Sequence, residues 1–145
     1  MERSITLAVD VEADANRVYE AVSTTEGQRS FWTEDCDVST DSARFGFAAA
    51  PVDLETAVTG EPGKLVRMRV TSGFPFWVGS TWEWEMGPAQ RAQTGTSVVF
   101  RHYGFEAGYA EPDLGFTAQT WAMVLDRLAQ YLTTGAPQPY FPAAD

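Results

Sequence analysis

From Ser4 to Val11 apolar and polar residues alternate, with Ile5, Leu7, Val9 and Val11 set against Thr6, Ala8 and Asp10. That is the period of a strand with one buried face. Asp14 then stands at an N-cap position ahead of Ala15–Val22, where Val18, Tyr19 and Val22 share a helical face. Thr24 or Thr25 caps a second short helical turn that ends near Phe31-Trp32. Period two returns between Cys36 and His102, predicting strands at Asp35–Ser39, Ala43–Phe47, Asp53–Thr59, Leu65–Ser72, Ser80–Met86 and Ser97–Tyr103. Gly60-Glu61-Pro62-Gly63, and Gly87-Pro88 with Gly95, mark turns between them. Such short connections require antiparallel pairing, because a parallel crossover takes about a dozen residues or more.

The last element has a different period. Leu114, Ala118, Trp121, Leu125, Leu128 and Leu132 recur at spacings of four and three, one apolar stripe on a helix from about Pro112-Asp113 to Thr133. Such a helix has about 20 residues and is about 30 Å long. Gly135 stops it in the C′ position and Pro137 prevents continuation. A stripe of that length must lie across something broad, and the broad surface available is the sheet. The expected architecture is α+β: about seven curved antiparallel strands gripping a long C-terminal helix, with two short helices between strands one and two, in a single domain over residues 1–145.

Strand alternation also assigns faces. Trp82, Trp84 and Met86 oppose Glu83 and Glu85; Val66, Met68 and Val70 oppose Arg67 and Arg69; Val98, Phe100 and His102 oppose Val99, Arg101 and Tyr103. If these strands are neighbours, the outer face carries a ladder Arg67/Arg69, Glu83/Glu85, Arg101, each pair worth about 1 kcal/mol or less but diagnostic of register. The inner face is then Met68, Trp82, Trp84, Phe100 and His102.

Composition narrows the function classes. Twenty Asp and Glu against ten Lys and Arg give a formal charge of −10, which repels phosphate backbones and anionic headgroups. Nucleic-acid and membrane-surface roles are disfavoured, and no run approaches the ~20 apolar residues of a membrane span. Cys36 is alone, so no internal disulfide is expected. The opening MERSITLAVDVEAD lacks the basic and apolar regions of a signal peptide, and the expected location is cytoplasmic. Five Trp and nine Phe are a large supply of apolar area for a core, a cavity or both.

Several stretches together resemble the START-like (Bet v 1-like, SRPBCC) superfamily, and within it the branch named for the activator of the Hsp90 ATPase. They are Val9-x-Val11-x-Ala13 leading into Val18-Tyr19, Phe31-Trp32, Gly95-Thr96-x-Val98-x-Phe100-x-His102, and Trp121-x-x-x-Leu125-x-x-Leu128-x-x-Tyr131-Leu132. The resemblance implies a helix-grip fold enclosing a hydrophobic cavity that takes lipid-, sterol- or polyketide-like molecules without an obligatory cofactor. Two departures stand out. Where the family places a Gly-Gly pair in the third strand, this chain has Arg44-Phe45-Gly46-Phe47, which fills or reshapes the cavity. The hairpin loop Ser72–Gly79 is unusually aromatic, as a pocket lid would be.

The expected ligand-contacting residues are Trp32, Phe45, Met68, Phe76, Trp77, Trp82, Trp84, Phe100, His102, Trp121 and Leu125. The same aromatic rings serve equally to pack a core. His102, the single histidine, is either a scaffold group or a polar anchor at the pocket mouth. No Ser, Cys or Asp partner is identified for it, and no metal site is expected. Arg69 and Glu83 are explained by the charge ladder, the run Glu34-Asp35, Asp37, Asp41 by a solvated acidic turn, and Cys36 by an unreactive thiol. The leading function is binding of a hydrophobic small molecule. A cofactor-independent aromatase/cyclase-type enzyme using His102 is one alternative. A protein-interaction domain resembling the Hsp90 co-chaperone branch, with a homodimer or chaperone contact through Phe74–Trp77, is the other.

Overall fold

A computed structural model describes residues 3–143, so residues 1, 2, 144 and 145 of the expected domain lie outside the described part. The strands are β1 (Ser4–Val11), β2 (Cys36–Val38), β3 (Ser42–Phe45), β4 (Leu54–Glu61), β5 (Leu65–Ser72), β6 (Thr81–Pro88) and β7 (Thr96–Tyr103). The helices are α1 (Ala15–Ser23), α2 (Thr25–Phe31) and α3 (Glu111–Thr134). All seven strands form one antiparallel sheet in the order β1-β7-β6-β5-β4-β3-β2. A register shift between Glu55 and Thr56 on β4 bends the sheet locally.

Local chemistry sets the element ends. Asp14 caps α1 by accepting the Arg17 N–H at 2.8 Å, and Thr24 caps α2 by accepting the Gly27 N–H at 3.0 Å. Thr25, the other candidate cap, instead accepts the Val38 N–H at 2.8 Å and ties α2 to β2. Gly27 sits so close to α1 that an added Cβ would lie 2.0 Å from the Ala21 carbonyl oxygen. At the far end of α3, Gly135 adopts φ 74° and donates its N–H to Tyr131, the left-handed helix stop expected there.

The outer charge ladder exists, with one member displaced. Arg67 and Arg101 flank Glu83 at 3.2 and 3.1 Å, and Arg101 also reaches Glu85 at 3.2 Å. Arg69 pairs across the strands with Thr81, not with a carboxylate. Glu83 is buried by these partners and by Tyr103, whose hydroxyl donates to it at 2.8 Å. Burial works against its charge, but Tyr103, Arg67 and Arg101 more than offset this and hold its pKa below the usual carboxylate range. The acidic turn likewise gathers round a cation within the chain: Arg44 reaches Asp35, Asp37 and Asp53 at 2.8, 2.9 and 3.3 Å.

α3 has 24 residues and lies across the concave face, burying Trp121, Val124, Leu125, Leu128, Tyr131 and Leu132. Leu114 and Ala118, at its N-terminal end, are only partly covered. The stripe therefore grips the sheet over its C-terminal two-thirds and lifts away at the start. Beyond Gly135 the chain turns back along α2: Gln138, Tyr140 and Phe141 donate their N–H groups to the carbonyls of Ser30, Phe31 and Trp32 at 2.7–3.2 Å. No described helix is long and apolar enough to cross a membrane.

Candidate ligand-binding site

The inner face that alternation predicted forms one continuous aromatic layer. Trp121 is its centre: Phe100, Trp32, Trp82 and Trp84 lie 4.5, 4.9, 5.5 and 6.1 Å from it between ring centroids. Phe45 covers Trp32 at 4.5 Å and Trp82 at 6.0 Å. Phe45, Met68, Trp82, Trp84, Phe100 and Leu125, all expected to wall a cavity, instead fill the space between sheet and helix and are at most 4% exposed. The reason is geometric: rings on adjacent strands project into one layer, and Trp121 on α3 packs down against them.

His102 belongs to this filled layer and is fully buried. The Trp121 indole N–H can only donate, and it donates to His102 Nδ1 at 3.1 Å. The imidazole proton is thereby placed on Nε2, which lies 2.9 Å from Ser80 Oγ and donates to it. Burial pushes the His102 pKa down to about 3, so the ring is neutral at physiological pH. A base for Ser80 would need the opposite tautomer. Trp77 and Phe105 close over the ring at 4.8 and 4.1 Å, so His102 is held inside rather than at a pocket mouth. Cys36 is also fully buried, and burial pushes its thiol up to about 11, away from reactivity.

The open space lies beside this layer, where α3 lifts from the sheet. A cleft of about 620 Å³ is bounded by Trp32 and Trp121 at its base. Phe47 and Ala48–Ala50 come from the β3–β4 loop, Phe74 and Trp77 from the β5–β6 loop, and Phe116 and Thr120 from α3. The returning C-terminal segment adds Phe141 and Pro142. The rings support one another: Phe47 stands 5.6 Å from Trp32, 5.9 Å from Phe74 and 5.2 Å from Phe141, and Trp77 stacks near Trp121 at 6.3 Å. A chain of hydrogen bonds fixes the cleft's polar edge. Trp77 N–H donates to the Tyr109 hydroxyl at 3.1 Å, which meets Thr117 Oγ1 at 2.7 Å, and Thr117 donates to the Asp113 carbonyl at 2.8 Å.

Of the expected contact residues, Trp32, Trp77 and Trp121 line the cleft. Phe76 does not: it is 41% exposed and stacks on Tyr109 at 5.6 Å. Within the Phe74–Trp77 loop, Phe74 and Trp77 turn inward, so the outward apolar groups there are Phe76 and Val78. Residue patterns placed Phe47 in the segment that fills or reshapes the cavity, but did not assign Phe47, Tyr109, Asp113, Phe116, Thr117, Thr120 or Phe141 to ligand contact. Two further signals were available: the aromatic run Tyr140-Phe141 just past a helix stop, and Asp113, Phe116, Thr117 and Thr120 spaced as one helical face with Trp121.

No protein-family model matches the chain, and no curated protein does. Solved structures do. Aha1 from Colwellia psychrerythraea, solved in solution as a dimer, matches with TM-score 0.78 and 20% identity over 92% of this chain and 98% of that one. DynU16, from the dynemicin biosynthetic locus, matches 97% of this chain at TM-score 0.73 and 20% identity, while this chain spans 51% of DynU16. CalU16 from Micromonospora echinospora matches at TM-score 0.66 and 18% identity, covering 92% of this chain and 78% of its own. At these identities the likeness is one of fold: this chain has the helix-grip, Bet v 1-like fold seen in Aha1.

Proposed function

We propose that the chain binds an apolar, ring-containing small molecule in the cleft between the N-terminal part of α3 and the loops at that end of the sheet. The observation that carries this reading is a 620 Å³ space walled by aromatic faces from separate segments. That volume falls within the about 300–1,000 Å³ of ordinary small-molecule sites, which pair apolar walls with a few fixed polar groups. Here those groups are Tyr109, Thr117 and Thr120. Loop aromatics are not required by the sheet, so their convergence on one space favours a binding role over core packing. The His102 tautomer and burial count against the cyclase-like alternative, because they withhold the base that chemistry would need.

Titration with the neutral fluorophore N-phenyl-1-naphthylamine tests the reading. One saturable site is expected, with quenching of tryptophan emission from Trp32, Trp77 and Trp121. Thr120→Trp, which projects a large ring from α3 into the space, is expected to weaken binding at least about tenfold while leaving the unfolding midpoint nearly unchanged. Absence of saturable binding, or binding indifferent to Thr120→Trp, defeats the proposal.

A further inference from the structure

We infer that the ligand of this cleft is a cation, a planar aromatic ring system bearing a positive charge that pairs with Asp113. The inference rests on the cleft being the binding site and adds the ligand's chemical class. Asp113 carries the one formal charge among the described lining residues, and no Lys or Arg lines the space. Arg3 and Arg127, on adjoining segments, are occupied elsewhere, and Arg29 opens into a neighbouring hollow that it shares with Glu34 and Asp35. Arg3 donates to the backbone carbonyls of Tyr109, Glu106 and Ala107. Arg127 donates to those of Gln138 and Pro139, with its guanidinium 5.7 Å over the Tyr140 ring.

The hydrogen-bond chain at the cleft edge points the same way. Thr117 spends its proton on the Asp113 carbonyl, so Tyr109 must donate to Thr117 while receiving the Trp77 N–H. Neither hydroxyl has a proton left for a ligand anion, and both can still offer lone-pair electron density; of the lining hydroxyls, Thr120 alone keeps a proton to donate. The walls include the rings of Trp32, Trp77 and Phe47, and a ring attracts a cation that lies over its face. A carboxylate or phosphate would meet Asp113, acceptor lone pairs and a chain of net charge −10. Asp113 also stands in the first turn of α3, where any carboxylate suits the helix N-terminus. That accounts for a carboxylate at the position without accounting for the lack of any opposing cation in the space.

Three probes of different charge decide the matter: cationic N-methylacridinium, neutral N-phenyl-1-naphthylamine and anionic 8-anilinonaphthalene-1-sulfonate. Each is titrated into the full chain at low ionic strength and again at about 0.5 M salt. The acridinium is expected to bind about tenfold more tightly than the neutral probe, and the sulfonate more weakly than either. Asp113→Asn should remove most of the acridinium's advantage over the neutral probe. Glu61→Gln, which removes an exposed charge paired with Lys64 in the β4–β5 turn, should leave all three affinities unchanged. An acridinium preference undiminished by Asp113→Asn, or one that falls equally with Glu61→Gln, reflects the overall field and overturns the inference. So does neutral-probe binding with no cation preference, an outcome under which the cleft remains a binding site. Failure of all three probes overturns the binding reading and this inference together.

Discussion

Beneath the middle of α3, Trp82, Trp84 and Phe100 each pack against Trp121 and are at most 1% exposed. One ring further on, Trp32 lies 5.5 Å from Trp82 but has the 620 Å³ cleft on its other side. The two regions use the same residue types and share Trp121 and Trp32, so ring chemistry does not explain the difference. Their supports do. The filled region is built from residues two apart on neighbouring strands and from one helix stripe, spacings that bring side chains into register and leave no room between them. The open region is built from one face of the N-terminal part of α3 together with loops and a returning terminal segment, whose rings brace each other at the edges around a space that none of them occupies. Periodic elements packed on one another close volume; irregular segments meeting the end of a helix leave it.

Substitutions should separate the two regions. The largest effect belongs to the filled one: Trp84→Ala is expected to cost about 3–5 kcal/mol of unfolding free energy in urea titration, from lost burial and the cavity left behind. Probe affinity of the folded fraction should be unchanged, since Trp84 does not line the cleft. A variant that loses binding but not stability would erase the proposed boundary.

Acid should attack the same region. His102 has its pKa depressed from 6.5 to about 3 when folded, so between those values the unfolded chain binds the extra proton. Its contribution is complete above about pH 6.5 and declines as pH falls towards 3, with a slope near 1.4 kcal/mol per pH unit below about pH 6. Denaturant titrations from pH 7 to 5 should show this slope, and His102→Gln should flatten it. A slope unaltered by His102→Gln would sink the assignment. Asp10 adds a smaller loss at lower pH. The N–H groups of Gln90, Ala92 and Arg91 hold its carboxylate below the usual range, so its contribution persists above the ordinary carboxylate pKa and disappears as pH drops through the lowered one.

Trp121→Phe tests the shared residue. It keeps a ring in the layer but leaves His102 Nδ1 without its donor, an expected cost of about 1–3 kcal/mol. The smallest stability effect should come from Phe116→Ala: that side chain is 68% exposed at the cleft rim, so unfolding should move by no more than about 0.5 kcal/mol. Probe binding should still weaken measurably, because the ring is one wall of the space.

Much of this frame was legible before any coordinates. Leu65–Ser72 is a strand over the bounds its alternation predicts, Gly135 ends the long helix, and Arg67, Glu83 and Arg101 meet as the face assignment requires. Within one element, the period states which side chains share a face, and burial of that face fixes register between neighbours. The inward direction of Trp82, Trp84, Phe100 and His102 was available on those terms. Whether they would line a space or fill it was not, because that depends on the distance at which α3 settles. That distance depends on how Phe45, Trp32 and Trp121, from three separate segments, pack against one another. The site was less legible still: Phe47, Trp77 and Phe141 are far apart along the chain and share no period with the α3 face that carries Asp113, Thr117 and Thr120. Tertiary structure alone decided their meeting, through hydrogen bonds such as Phe141 to Trp32 and Trp77 to Tyr109 that tie loops and tail to the grip. Short-range pattern specifies elements and faces; it holds no record of which irregular segments will enclose a volume.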